Sequence, residues 1–515
     1  MSAEPGGGGP QPHTHIRLYA DLLILLVALA STVAYVVGAG GEGFPLDDGW
    51  IHQVYARNLA ERGEWAFVSG VPSAGSTSPL WTVLLAAGYG LGVPYRLWAL
   101  ALGALCLGAT GALGARVAER LFPRVRFVGV LTGLCITLEW HLVWAAASGM
   151  ETALFSALSV AVVLLALHAL EPTSPPPSVW RGAALGLVGA ALTLTRPEGV
   201  LLVGLAALAA LASARGWRVW LTWAVGAAMG WLAGVTPAAL LNLSAGGSVL
   251  PNTSAAKQAE YAALLALPYL RRLQEVVAPL TAGVVAPLLP GLLWWAGLWT
   301  RRVRVERETA GRLLPSAWAL ALLMLYAARL PVSYQHGRYV IPALPHLIVT
   351  GVGGMLLLLE VGRRSMWGRV LSRSLFLVAL GILAIFWGVG WRVYATDVSI
   401  IQSEMVAAAR HLADEIPPAD LLAVHDIGAV GYFAPRPILD LAGLVSPEVI
   451  PIIRDEAALL ALMEARGAAY LMTFPDWYPH IVSDPRVQRI FQTDGTAPFA
   501  GGENMAIYRL VWEHE

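Results

Sequence analysis

PLDDGWIHQVYARNLAERGEWAFVSGVPSAGSTSPLW, residues 45–81, is the longest polar interruption in the N-terminal half of the chain, and it follows the first apolar run directly. How this stretch and the apolar run behind it are read decides how often the chain crosses a bilayer. An acidic pair, Asp47 and Asp48, stands where the chain leaves that first run, and Ile51, Val54, Tyr55 and Leu59 then recur at helical spacing, which predicts an amphipathic helix. Two readings of the pair stand side by side. Asp at a first helical turn satisfies free N–H groups and the helix dipole; alternatively, two carboxylates kept at a membrane surface serve chemistry.

Outward from this stretch, composition sets the class. The chain of 515 residues is 57% hydrophobic and 13% charged, with a mean hydropathy of +0.62, values that no ordinary soluble domain of this length shows. An α-helical, polytopic membrane protein follows. Apolar runs near 17–38, 97–118, 127–146, 152–170, 181–195, 199–214, 219–241, 277–299, 314–330, 339–361 and 374–393 predict about 11 spans, several of them short for a bilayer. The run from Pro79 to Val93 is only about 15 residues long and carries Gly88, Gly90 and Gly92, so it is read as a helix lying in or dipping into the interface.

Charge distribution tests that choice. With 79–93 not spanning, Arg17, the four arginines from Arg116 to Arg126, Arg215, Arg218, the five from Arg301 to Arg312 and the four from Arg363 to Arg373 fall on one side, the cytoplasmic one by the positive-inside rule. The same parity puts Asp47, Asp48, Glu151, Arg196, Glu198, Asn252, Lys257, His336 and Arg338 on the opposite face together with the C-terminal tail. Formal net charge is zero and Lys257 is the single lysine, which excludes a basic nucleic-acid surface. Cys106 and Cys135 both fall inside apolar spans and read as small core residues rather than a disulfide or metal pair.

Three divisions are expected: a disordered cytoplasmic N-terminus over 1–15, a transmembrane module over 16–394 whose first external loop is 39–96, and a soluble extracytoplasmic α/β domain over 395–515. In the last, the patterns predict a helix from Ser403 to Glu415, the runs LLAVHDIGAVGYF and RPILDLAGLV, a helix from Ala457 to Arg466, and strands AAYLMTF and MAIYRLVW.

The pattern LDDGWIHQVYARNLAERGEWAF…GSTSPLW resembles the first external loop of bacterial GT-C glycosyltransferases, membrane enzymes that use polyprenyl-phosphate sugars. SGMET (148–152), LTRPEG (194–199), LPNTSAAK (250–257), HGRYVIPALP (336–345) and HDIGAVGYF (425–433) continue the resemblance in order along the chain. It is similar to the branch of the mycobacterial arabinofuranosyltransferases and, more distantly, to protein mannosyltransferases and aminoarabinose transferases. The resemblance implies a plasma-membrane enzyme whose active site and C-terminal domain are extracytoplasmic, with a polyprenyl-phosphate-linked sugar as donor and a glycan, lipid or protein as acceptor.

Such a reaction needs a carboxylate base for the acceptor hydroxyl and cationic donors for the departing phosphate. By resemblance the base is Asp47, with Asp48 as neighbour and Glu151 as a second acid; capping of a span is the structural alternative for Glu151. Arg338 with His336, then Lys257, then Arg196 are the phosphate ligands, although Arg196 also stands where it can pair with Glu198 across Pro197. Tyr55, Trp81, Asn252, His425 and Asp426 are the implied substrate contacts. No cofactor is required, and a divalent cation (Mg, Mn or Ca) shared by the acids is an alternative. Glu139 and His141, near the outer end of a span, are either functional or interfacial. The chain departs from its relatives at Ala74, where they carry an acid, at Ser76, where they carry Tyr, and at Ser254 and Ala255, where they carry an aromatic pair. These losses bear on sugar and acceptor contacts. A transporter or flippase for lipid-linked sugars, or a non-catalytic binder of them, is the alternative from another class, and it predicts polar groups at mid-membrane.

Overall fold

The computed structural model describes residues 12–171, 177–212, 217–246, 249, 251–305 and 311–512. Its first helix opens at Pro12, so the N-terminus expected to be disordered lies outside the described residues up to residue 11. Among the described residues, seven helices are long and apolar enough to cross a membrane, or nine if each of two bent pairs is one span. The expectation of about 11 spans therefore meets two kinds of departure. The expected spans at 181–195 and 199–214 are the short apolar helices Val179–Thr195 and Gly199–Ala212. Those at 127–146 and 277–299 are broken, into Val128–Leu138 and Trp140–Ala147 bent by 57°, and Tyr269–Thr281 and Val285–Arg301 bent by 114°.

Each break has a local cause. Glu139 leaves the helical region (ψ 120°) and its carboxylate accepts from the backbone N–H of His141 at 2.6 Å, capping the helix that follows. The other break follows Pro279, and at Gly283 any Cβ would meet the Glu139 carboxylate at 2.5 Å. Helices Val179–Thr195 and Trp217–Gly246 instead pack backbone to backbone. A Cβ on Gly182, Gly186, Gly226 or Gly230 would stand 1.9–2.2 Å from a carbonyl oxygen of the partner helix, the small-residue contact that lets helices approach closely in lipid. On the helix Arg17–Gly38, Leu22, Leu26, Leu29, Val33 and Val37 are exposed, as suits contact with lipid.

The bundle has two chemically different ends. At one, Arg17 and Arg116 meet Glu119, and Arg120 donates to Glu171 at 2.9 Å. At the other stands the first loop. Its helix, Asp47–Arg62, follows Leu46 without a side-chain cap and ends at Gly63 in the left-handed region (φ 68°). An antiparallel hairpin, Ala66–Val68 with Val71–Pro72, leads to the helix Pro79–Gly90, whose Leu84 carbonyl accepts from Trp98. The loop helix is not a one-faced amphipathic helix. Trp50, Val54, Tyr55 and Ala56 are all buried, and they share one apolar core with Met405, Leu412, Val424, Val430 and Met472 of the C-terminal region.

The helix Met366–Ile401 continues through one widened turn, Gln402–Val406, into Ala407–Glu415. The boundary expected at 394/395 thus lies within a helix. The widened turn carries Glu404, fully buried, which accepts from the backbone of Ala497 and Met505, from the Asn504 amide and from the Thr493 hydroxyl. Beyond it, a five-stranded sheet runs in the order Ile438–Asp440, Leu422–Val424, Tyr470–Thr473, Ala506–Leu510, Val487–Gln492. The first three strands are parallel, the last two antiparallel to their neighbours.

Candidate active site

Asp47 and Asp48 are neighbours on a helix, so their side chains leave it about 100° apart and cannot share one environment. Asp47 turns toward the C-terminal domain. Its Oδ2 and Oδ1 accept from the backbone N–H groups of Gly428 and Ala429 at 2.6 and 2.7 Å. It therefore caps the helix Ile427–Phe433 rather than its own. Arg57, at the other end of the loop helix, donates to the carbonyls of Gly431 and Tyr432, so both ends of that short helix are held. Burial pushes the Asp47 carboxyl up to about 7, against the two amides and with help from Asp48.

Asp48 turns the other way, into a cavity of about 490 Å³. It takes a bidentate contact from Arg338, whose Nη1 and Nη2 donate to Oδ2 and Oδ1 at 2.9 and 3.3 Å. Burial raises the Asp48 carboxyl, but the charges of Arg338 and Lys257 outweigh it and hold the group at about 2. Glu151, Arg196, Glu198, Lys257 and Tyr339 line the same cavity. Lys257 Nζ donates to Glu260 at 3.0 Å, and although burial opposes its charge, Tyr339, Glu260 and Asp48 raise its pKa. Arg196 reaches Glu198 at 3.0 Å, Glu151 at 3.8 Å and the Tyr326 hydroxyl at 3.0 Å, so the ion pair read across Pro197 forms without taking Arg196 out of the cavity. Segments far apart in sequence thus bring two acids and three cations, from the expected set, to one wall-to-wall space.

Other expected residues stand apart from it. His336 does not line the cavity. It lies in a run of left-handed residues, Gln335, His336 and Gly337 with φ 51°, 61° and 69°, and its Nε2 meets Asp397 Oδ2 at 2.8 Å. Each such non-glycine residue costs on the order of 1–3 kcal/mol and persists only where its surroundings hold it. Tyr55 is buried, its hydroxyl bonded to Ser73 at 2.7 Å and accepting from Gly75 N–H at 3.1 Å. Trp81 is buried and donates to the Gly149 carbonyl at 2.9 Å. Asn252 donates its backbone N–H to Ala74, while its neighbours Thr253 and Ser254 line the cavity. Ser76 bonds Thr82 instead of facing the cavity.

His425 and Asp426 follow the strand Leu422–Val424. His425 Nδ1 meets the Tyr478 hydroxyl at 2.8 Å, and burial, then Lys257, lowers its pKa to about 4. The buried Asp426 Oδ2 has no partner; burial and Asp47 keep this carboxyl well above the usual range. Glu139 and His141 form a closed pair at 3.0 Å at the helix break. Among the described residues no three His, Cys, Asp or Glu stand together in a way that could hold a metal ion.

Several residues of the site were not anticipated. His52 bonds Glu151 at 3.1 Å; it stands four residues after Asp48, the helical spacing of one face, so the sequence carried the signal. Tyr326 and Tyr339 line the cavity; Tyr326 is a long-range partner of Arg196, and Tyr339 accepts from its chain neighbour Arg338. Nothing in their local sequence sets Tyr326 apart from a belt aromatic.

Comparisons with known proteins agree on the architecture. Residues 396–509 match a family model described as a domain of unknown function (DUF8728). No curated protein matches the chain by sequence. Among solved structures, the chain is similar to ArnT from Cupriavidus metallidurans, crystallised with undecaprenyl phosphate, at 15% identity and a TM-score of 0.57, over 96% of this chain and 99% of that one. The Archaeoglobus fulgidus oligosaccharyltransferase is similar at 10% identity and a TM-score of 0.63, over 89% and 70%. The arabinofuranosyltransferase AftD from Mycobacteria is similar at 16% identity and a TM-score of 0.53; 96% of this chain aligns, spanning 40% of that one. In fold, the chain is a multi-pass membrane protein of the GT-C glycosyltransferase architecture, as its sequence motifs led one to expect.

Proposed function

We propose that the chain is an inverting glycosyltransferase that moves a sugar from a polyprenyl-phosphate donor to a hydroxyl of a glycan, lipid or protein acceptor at the extracytoplasmic face of the plasma membrane. The observation that carries the reading is the cavity in which Asp48 and Glu151 face Arg196, Lys257 and Arg338, beneath a fold shared with enzymes of this class. The acceptor oxygen attacks the anomeric carbon, the bond from that carbon to the phosphate oxygen breaks, and polyprenyl phosphate leaves with the electron pair. The acceptor proton goes to a carboxylate.

Asp48 is the base we assign, in place of Asp47, because Asp48 faces the cavity and both oxygens of Asp47 are taken by backbone amides. Arg338 and Lys257 hold the Asp48 carboxyl at about 2, too low for a good base. A donor phosphate engages both cations, and its negative charge raises the Asp48 pKa toward the working range. The donor thus prepares the base. Arg338 offers a planar fork to phosphate oxygens and Lys257 a point charge. Arg196 and His52 hold Glu151 in place to meet sugar or acceptor hydroxyls. No step in this scheme calls on a cation beyond these side chains. The end carrying Arg116, Arg120, Arg363 and Arg364 faces the cytoplasm.

Binding tests the reading before turnover does. Protein in lipid nanodiscs should bind undecaprenyl phosphate, and Lys257→Ala should weaken that binding at least tenfold. Equal binding by wild type and Lys257→Ala would remove the phosphate from this cavity.

A further inference from the structure

We propose that His336 and Asp397 are a positioning pair that sets Arg338 against Asp48, and through it against the donor phosphate; the inference rests on the donor reading above. Among the described residues, the turn ahead of Arg338 is the one run of successive left-handed residues that includes non-glycines, with Gln335, His336 and Gly337 all left-handed in sequence. Gly adopts that region readily, His only as a minority conformation and Gln rarely, and two such residues in succession are rarer still. Contacts from outside the turn must therefore hold it.

Those contacts come from three directions. His336 Nε2 meets Asp397 Oδ2 at 2.8 Å, and the same oxygen accepts from Trp144 Nε1 at 2.8 Å, so the carboxylate is oriented before the histidine reaches it. The His336 ring is met edge-on by Trp140 and Trp144, with centroids 5.4 and 5.3 Å away. Gly337 backs onto Pro279, where an added Cβ would fall 2.9 Å from the proline ring. One residue later the chain delivers Arg338, 5% exposed, to Asp48 and to the Tyr339 hydroxyl.

Asp397 belongs to the 36-residue helix Met366–Ile401, which runs on into the C-terminal domain. The pair therefore ties the phosphate-facing arginine to the element that carries that domain. A histidine placed two residues from Arg338 looks in the sequence like a second phosphate ligand. In the structure it faces away from the cavity, and its effect passes through Arg338.

The test uses the full-length protein in nanodiscs, Arg338→Lys and three variants at His336. His336→Asn keeps a residue that tolerates the left-handed region but is too short to span to Asp397. His336→Gln restores the reach and a donor. The third combines His336→Asn with Arg338→Lys. We expect His336→Asn to lower kcat about tenfold, a fraction of the roughly 10²-fold that a misplacement of about 1 Å costs a reacting group, with donor KM changed less than threefold, and His336→Gln to recover at least half the loss. The double variant should be no slower than Arg338→Lys alone, because the pair acts only through Arg338. A double variant slowed by the product of the two single effects, or wild-type kcat in His336→Asn, would overturn the proposal. Undecaprenyl phosphate binding to the same variants is read in parallel, with the same non-additivity expected. Absence of sugar transfer by the wild type would count against the enzyme reading, and a binding loss in the double variant equal to the product of the two single losses would count against the pair.

Discussion

Gly428→Ala separates packing from helix propensity at the contact between the first loop and the C-terminal domain. Gly428 lies in the first turn of the helix Ile427–Phe433 and its φ is not in the left-handed region, so on propensity alone alanine should stabilise, by up to about 1 kcal/mol. Packing gives the opposite sign. The new Cβ would stand 2.1 Å from the Asp47 carbonyl oxygen and 2.7 Å from its Oδ2. Bringing the first contact to an ordinary separation requires a shift of about 1 Å, and overpacking of this kind costs about 1–3 kcal/mol. The shift falls on the residue next to Asp48. A misplacement of about 1 Å in a reacting group costs on the order of 10²-fold in rate. The assay is sugar transfer by the full-length variant in nanodiscs, with hydrogen exchange of the peptide covering 425–434 as the structural readout. Turnover should fall between ten- and a hundredfold and exchange should rise. Gly204→Ala, where nothing stands within 4 Å of the new Cβ, is the control and should leave both unchanged. Wild-type turnover and exchange in Gly428→Ala would refute the idea that this helix seats the acidic pair.

Other outcomes follow from the same geometry. Arg338→Lys keeps the charge and loses the fork, so turnover should fall more than donor affinity, read as a drop in kcat with a smaller change in KM. Asp47 holds a proton up to about pH 7 that the unfolded chain releases near 4. Its contribution therefore favours the folded state at low pH and is lost as pH rises from about 4 to 7; the apparent Tm of Asp47→Asn should depend less steeply on pH across that window than the wild type's. Gly186→Leu drives a side chain into the Ala227 carbonyl, 2.1 Å from any Cβ, and should lower the folded yield and apparent Tm sharply, whereas Gly204→Leu should not. Cysteines at the exposed positions Ser69 and Ser483 should label from outside intact cells, and one at exposed Arg364 should not; opposite labelling of Ser69 and Ser483 would break the assignment of loop and domain to one face.

Much of this architecture is legible in the chain because lipid leaves few choices. Apolar length separates the helices long enough to span from the shorter helix Pro79–Gly90, and arginine counts order the ends. The cavity residues Asp48, Glu151, Arg196, Lys257 and Arg338 are also visible, as charges that an apolar chain retains at polar interruptions. Which of two adjacent aspartates faces the cavity is not, because helical phase alone does not say which side a domain some 380 residues later in the chain will cover, as Gly428 does for Asp47. His336 misleads for a related reason: its direction depends on a left-handed turn set by Asp397 and Trp144, and although Gly337 marks a turn, it does not announce that Gln335 and His336 before it are left-handed too. The strand Val487–Gln492 escaped because it is an edge strand, mostly exposed, and carries no clean alternation.

The central claim is that this cavity cleaves a lipid-linked sugar with Asp48 as the base. Purified protein in nanodiscs, given a panel of radiolabelled polyprenyl-phosphate mannose, arabinofuranose and glucose with plausible acceptors, should release polyprenyl phosphate. Asp48→Asn should lower the rate by about 10²–10⁴, while Asp47→Asn keeps measurable transfer. No release by the wild type from any donor, or an Asp48→Asn variant as fast as the wild type, would contradict the account.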